Sequence, residues 1–110
     1  MENDFNRTLL KGDSETLDHK QIRDSNGKLL EEYFLTNGQK QGKYLSFHPN
    51  GQIQSSMFYK EGKLHGEAHF YSESQKLLAK GNYVEGEKHG VWMLYYESGL
   101  LYARLEYKMG

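Results

Sequence analysis

Histidine carries most of the reactive chemistry in this 110-residue sequence, which has five histidines and no cysteine. His65 and His89 stand one repeat apart in the same setting, Gly-x-x-His-Gly, with His69 near the first and His48 and His19 elsewhere. Such spacing raises a metal site, because neutral imidazole is a common ligand. Zinc, however, needs donors that converge to about 2.0–2.1 Å from one ion. Equivalent positions of neighbouring two-stranded units lie roughly 9–10 Å apart. The sequence therefore predicts no metal, and a motif histidine that packs beside a tight glycine turn.

Nucleophilic catalysis needs an activated hydroxyl with a base in reach, or two carboxylates held by a scaffold. Ser46, Ser55, Ser56 and Ser98 lie in strand-like or turn-like contexts, with no G-x-S-x-G elbow. Glu31, Glu32, Glu61, Glu85, Glu87 and Glu97 are scattered as solvated charges would be. Twelve glycines suggest phosphate binding, but neither G-x-G-x-x-G nor G-x-x-x-x-G-K-[ST] occurs. With 36% hydrophobic residues the chain can fill one thin apolar layer rather than wall off a reaction pocket. The expectation is a non-enzymatic domain with no cofactor.

Zero cysteines exclude a disulfide scaffold, a thiol nucleophile and thiolate zinc. A formal net charge of -1 gives no global pull towards nucleic acid or anionic lipid. Lys40, Lys43, Lys60, Lys63, Lys80, Lys88 and Lys108 are interleaved with Glu61, Glu67, Glu85 and Glu87. No nucleic-acid partner is expected, and lipid is a minor alternative. Met1-Glu2-Asn3-Asp4-Phe5 is not a basic region leading into an apolar one, and no apolar run is long enough to span a bilayer. A soluble, cytoplasmic protein is expected.

The elements that must position these residues repeat every 24 positions. Gly38, Gly62 and Gly86 share one phase, Gly42, Gly66 and Gly90 a second, and Gly27, Gly51 and Gly99 a third, where Gln75 replaces the glycine once. Leu29, Ile53, Leu77 and Leu101 keep the same step, as do Phe47, Tyr71 and Tyr95, and Leu35, Tyr59, Tyr83 and Tyr107. The units run 19–41, 42–65, 66–89 and 90–110. In the first, Asp18 and Arg23 stand for the glycine and the aromatic. Residues 1–18 fit the period poorly and form an N-terminal segment, partly frayed or a degenerate repeat, with Leu9-Leu10-Lys11-Gly12 as the remnant of a strand.

Each unit reads as two strands joined by glycine turns, because Ile53, Met57 and Tyr59 alternate with polar residues. In His48-Pro49-Asn50-Gly51, proline presets an early turn φ and glycine supplies the positive φ that closes a three-residue hairpin loop. The fold class is all-β, an elongated antiparallel meander of about eight strands built from tandem hairpins. If Phe47 pairs with Ile53, then Leu45 faces Ser55, and the odd-numbered strand residues share the buried face. The even face then gathers Tyr44, Phe58, Phe70, Trp92, Leu94, Tyr96 and Tyr102 among polar side chains.

The segments Gly62-Lys63-Leu64-His65-Gly66-Glu67-Ala68-His69-Phe70-Tyr71 and Gly86-Glu87-Lys88-His89-Gly90-Val91-Trp92-Met93-Leu94-Tyr95 resemble the G-x-x-H-G-x-x-x-x-[YF] core of MORN repeats. The period and the turns most resemble the bacterial MORN variant of YwqK-type antitoxins. Gln41, Gln75 and Ala68 depart from the pattern. The resemblance covers about residues 19–110 and implies a curved sheet of hairpins serving as an interaction module.

Together these readings predict a binding module, either an adaptor or scaffold or an antitoxin that masks a toxin, with another protein as partner. The residues expected to bind it are Tyr44, Phe58, Phe70, Trp92, Tyr96 and Tyr102. Gly38, Gly42, Gly51, Gly62, Gly66, Gly86, Gly90 and Gly99 are expected to be structural turn glycines. A homodimer, through the last strand's free edge or face to face, is a further expectation.

Overall fold

The computed structural model describes residues 17–108. Ten strands follow one another: β1 (Asp18–Arg23), β2 (Leu29–Thr36), β3 (Gln39–Lys40), β4 (Gly42–Phe47), β5 (Ile53–Lys60), β6 (Lys63–Leu64), β7 (Gly66–Tyr71), β8 (Leu77–Val84), β9 (Glu87–Tyr95) and β10 (Leu101–Tyr107). They form one antiparallel sheet in the order β1-β2-β4-β5-β7-β8-β9-β10, with β3 on β2 and β6 on β5. Among the described residues no helix occurs, so the all-β meander of successive hairpins is the fold. The proposed strand remnant Leu9–Gly12 lies outside the described residues.

Two turn types alternate. The long loops have the hydrogen bonds of a three-residue connection: His48 N–H donates to the Gln52 carbonyl at 2.8 Å and Gly51 N–H to the His48 carbonyl at 2.9 Å. The same pair of bonds recurs at Asp24, Ser72 and Tyr96, one repeat apart. Gly51 has φ +90°, and Gln75 occupies the equivalent position at +71°, a conformation that costs a residue with a Cβ about 1–2 kcal/mol. The short turns have positive φ at both central residues, as in Glu61-Gly62 (51° and 86°) and Glu85-Gly86 (52° and 85°). That is the type I′ hairpin, whose twist matches that of the strands. All eight glycines expected in turns have φ between 76° and 108°.

The register corrects one inference. Phe47 does pair with Ile53, but Ser46 pairs with Ser55, and Leu45 therefore lies opposite Ser56. Gln54 is an extra residue, a β-bulge that moves every later side chain of β5 to the other face. Equivalent bulges fall at Leu30, Leu78 and Tyr102. Odd residues of one strand thus share a face with even residues of the next, and the odd/even division does not hold across the sheet.

Directly opposed residues of an antiparallel pair share a face, which assigns the two surfaces. One carries Tyr33, Tyr44, Ser46, Ser55, Met57, Tyr59, Ala68, Phe70, Gly81, Tyr83, Trp92, Leu94, Leu105 and Tyr107. This is the buried face, since Ala68, Gly81, Trp92, Ser46 and Ser55 are the buried residues of its centre. The other, open face carries Lys43, Leu45, Phe47, Ile53, Phe58, His69, Tyr71, Leu77, Val91, Met93, Tyr95 and Leu101.

The buried face is packed by cross-strand pairs whose sizes compensate. Tyr33 stacks on Tyr44 with ring centroids 6.1 Å apart. At the next junction Met57 lies in line with Ala68, and at the third Gly81 lies under Trp92. The alanine and the glycine make room for the partner across the strand.

Candidate functional site

Of the six side chains expected to bind a partner, the structure keeps only some at the surface. Trp92 is 3% exposed. Its indole N–H donates to the Asn82 carbonyl at 3.0 Å, and its ring meets Tyr83 and Tyr107 edge to face at 5.3 and 6.5 Å. Trp92 is therefore a core residue, covered because the bulges at Leu78 and Tyr102 bring Tyr83 and Tyr107 onto its face. Tyr44 and Phe70 lie half-buried on the same face. Phe58 is exposed on the open face beside Lys43, whose ammonium stands 5.8 Å from its ring. Tyr96 and Tyr102 are exposed at the fourth loop and meet edge to face at 5.0 Å. The six do not form one surface.

The buried face also holds an arrangement that the sequence reading missed. The Lys40 ammonium sits 4.7, 5.4 and 5.1 Å from the rings of Tyr33, Tyr44 and Tyr59. Lys88 repeats it over Trp92 and Tyr107 at 5.2 and 5.3 Å. Cations over aromatic faces gain about 0.5–2 kcal/mol depending on solvation. In the intervening unit Leu64 replaces the lysine and Ala68 the aromatic. The joint presence of lysine at 40 and 88 with aromatics at 44 and 92 was the available signal. Burial first, and then the Glu31 carboxylate, push the Tyr44 hydroxyl up to about 12.

The histidines serve the turns. His65 Nδ1 accepts from the Glu85 N–H at 3.4 Å, and Gln41 Oε1 accepts from the Glu61 N–H at 2.7 Å. Each side chain reaches the short turn of the following repeat, and glutamine can stand for histidine because both offer an acceptor. His89 holds the same motif position. His48 Nε2–H donates to the Tyr71 carbonyl at 2.8 Å, and Asn50 to the Glu73 carbonyl at 2.8 Å. Ser72 and Ser74 both donate to Glu97 in the next loop. These bonds hold the Glu97 carboxyl below the usual range, Ser74 most strongly. A polar ladder thus ties consecutive long loops together. Among the described residues no three of His, Asp and Glu are grouped so as to hold a metal ion. Ser46 and Ser55 share a 2.6 Å hydroxyl contact in the buried centre, with Gln54 as their polar neighbour.

A grooved stripe also crosses the open face, at its long-loop end. Three shallow grooves lie one repeat apart. The first, about 180 Å³, is lined by Leu29 and Phe47; the second, about 410 Å³, by Ile53, Tyr71 and Leu45; the third, about 400 Å³, by Leu77 and Tyr95. Leu101, half exposed, ends the row opposite Tyr95. Polar side chains rim it: Lys28, Lys43, Gln52, Gln75, Lys76 and Glu97. These apolar positions were visible as a repeating register, but the unread bulges assigned them to the core.

Among the described residues no helix is long and apolar enough to cross a membrane. No curated protein and no solved structure matches the chain. Two of its segments do match a family model: residues 40–61, spanning β4 and β5, and residues 88–109, spanning β10 and most of β9, match the MORN repeat variant, so the chain carries at least two units similar to that repeat.

Proposed function

We propose that this chain is a non-enzymatic protein-interaction module, an adaptor or scaffold, that holds another protein against the grooved stripe of its open face. The observation that carries this reading is the row of three equivalent apolar grooves, rimmed by polar side chains and covered by no other part of the described chain. Exposed apolar surface rimmed by polar residues is the kind that interaction sites use. MORN repeats serve in general as interaction modules. The exposed aromatics Phe58, Tyr96 and Tyr102 extend the candidate surface.

The test is affinity capture from the native cell with the intact chain and with Ile53→Lys and Leu101→Lys as controls. Both positions are exposed, so each variant is expected to keep the wild-type thermal midpoint and lose the captured protein. Capture unaffected by either substitution refutes the stripe. If the partner is a toxin, co-expression with it restores growth; arrest despite co-expression removes the antitoxin reading. Pelleting with anionic vesicles at low salt, lost on adding salt, would instead identify a lipid surface.

A further inference from the structure

The sheet has two edges of unlike character. β1 exposes Asp18, His19, Lys20 and Arg23, a charged edge of the kind that prevents strand addition. β10 is also unpaired on its outer side among the described residues. It carries Ala103-Arg104-Leu105-Glu106-Tyr107, with Leu105 40% exposed.

This edge is complementary to itself. When two antiparallel copies are centred on Leu105, Leu105 meets Leu105 and each Ala103 meets Tyr107, all on the buried face. On the open face Arg104 meets Glu106 twice. Opposite charges and small-large apolar pairs at directly opposed positions favour pairing, and like charges oppose it. Centring on Arg104 sets arginine against arginine, and centring on Glu106 sets glutamate against glutamate; centring on Ala103 opposes no like charges but forms no opposite-charge pair. On β1, centring on Lys20 opposes two lysines and centring on Gln21 sets His19 against Arg23. Centring on His19 pairs Asp18 with Lys20 but offers no apolar pair like Leu105 with Leu105, since Asp18, His19 and Lys20 are all polar.

We infer that β10 pairs with β10 of a second copy in the register centred on Leu105, joining two sheets about a twofold axis. The two-fold operation closes the assembly at a dimer. Pairing of β10 with β1 would instead extend without limit. The dimer uses neither the grooves nor their rim, so it stands whether or not the open face binds a partner.

The experiment is sedimentation of the full chain with Arg104→Glu, Glu106→Arg and the double substitution. The wild type is expected to be a reversible dimer. Each single variant replaces two opposite-charge pairs with two like-charge pairs and is expected to weaken it about tenfold; the double variant restores it. Thermal midpoints measured on diluted, monomeric protein should match, because both side chains are exposed. As a second readout, Leu105→Cys introduces the chain's only cysteine. Opposed Cα atoms about 4.5–5.5 Å apart permit a disulfide, so mild oxidation should yield a covalent dimer. Ala103→Cys, roughly 14 Å from its counterpart, should not. A monomer at every concentration, a larger polymer, a double variant that fails to restore pairing, or equal cross-linking at both positions overturns the proposal.

Discussion

The indole of Trp92 lies over the Cα of Gly81, so close that a Cβ on residue 81 would stand 2.1 Å from Cδ2 of the ring. This contact joins β8 to β9, and Gly81 is the one glycine among those described where an added Cβ would collide with a neighbour. Gly81→Ala is expected to lower stability by about 1–3 kcal/mol through overpacking. It is read as a lower denaturation midpoint at unchanged slope. Trp92→Ala, which empties the site and strands the Asn82 carbonyl, should cost about 3–5 kcal/mol. Far-UV signal retained at the wild-type midpoint would contradict the core assignment.

Gln75 offers the opposite sign. Its φ of +71° matches that of the glycines at 27, 51 and 99, and its side chain is exposed, with Gln52 as its hydrogen-bond partner. Gln75→Gly should raise stability by about 0.5–1 kcal/mol, since relief of the left-handed strain exceeds the loss of one surface bond. A thermal shift assay checks the direction.

His65 is predicted to be a positioning residue for the short turn at Glu85-Gly86. His65→Gln keeps an acceptor, as Gln41 does one repeat earlier, and should stay within about 0.5 kcal/mol of wild type. His65→Leu leaves the Glu85 N–H without its partner and should cost about 1 kcal/mol. Amide exchange at Glu85 separates the two variants, rising only in the leucine form.

Glu97 sets a pH dependence. Hydrogen bonds from Ser74 and Ser72, with Lys76 nearby, depress its folded-state pKa. A depressed carboxyl contributes stability above its unfolded value, and the contribution is lost as pH falls through the folded value. Acid titration of stability should therefore be shallower in Glu97→Gln and in the Ser72→Ala/Ser74→Ala pair. Identical acid limbs in all three proteins would dismiss the ladder's role.

Much of this fold is legible in residue types. Glycines at a fixed step locate both turn families, and alternation in 52–60 identifies the strand, because turn sterics and half-burial leave direct marks on composition. The pairing of Phe47 with Ile53 follows from loop length alone. What composition does not show is the bulge at Gln54, whose side chain is ordinary and whose effect is purely one of register. This bulge and its equivalents leave Ile53 and Tyr71 on one face but carry Met57, Tyr59, Tyr83 and Tyr107 round to the face of Trp92, and that face becomes the core. The repeating apolar positions of the stripe were therefore legible as a set, but were assigned to the core, and the partner-binding residues were sought on the opposite face. Ala68 and Gly81 make sense only beside Met57 and Trp92, a relationship across strands that no linear pattern displays.

Each hairpin carries its own bulge, at Leu30, Gln54, Leu78 and Tyr102, so the inversion made within one unit is repeated identically in the next. A whole unit can consequently be copied or excised while the flanking units keep the same surroundings, whereas gain or loss of one strand would turn the remainder of the array inside out. Reach along the grooved side can thus be adjusted only in steps of one complete module, about two strand widths at a time.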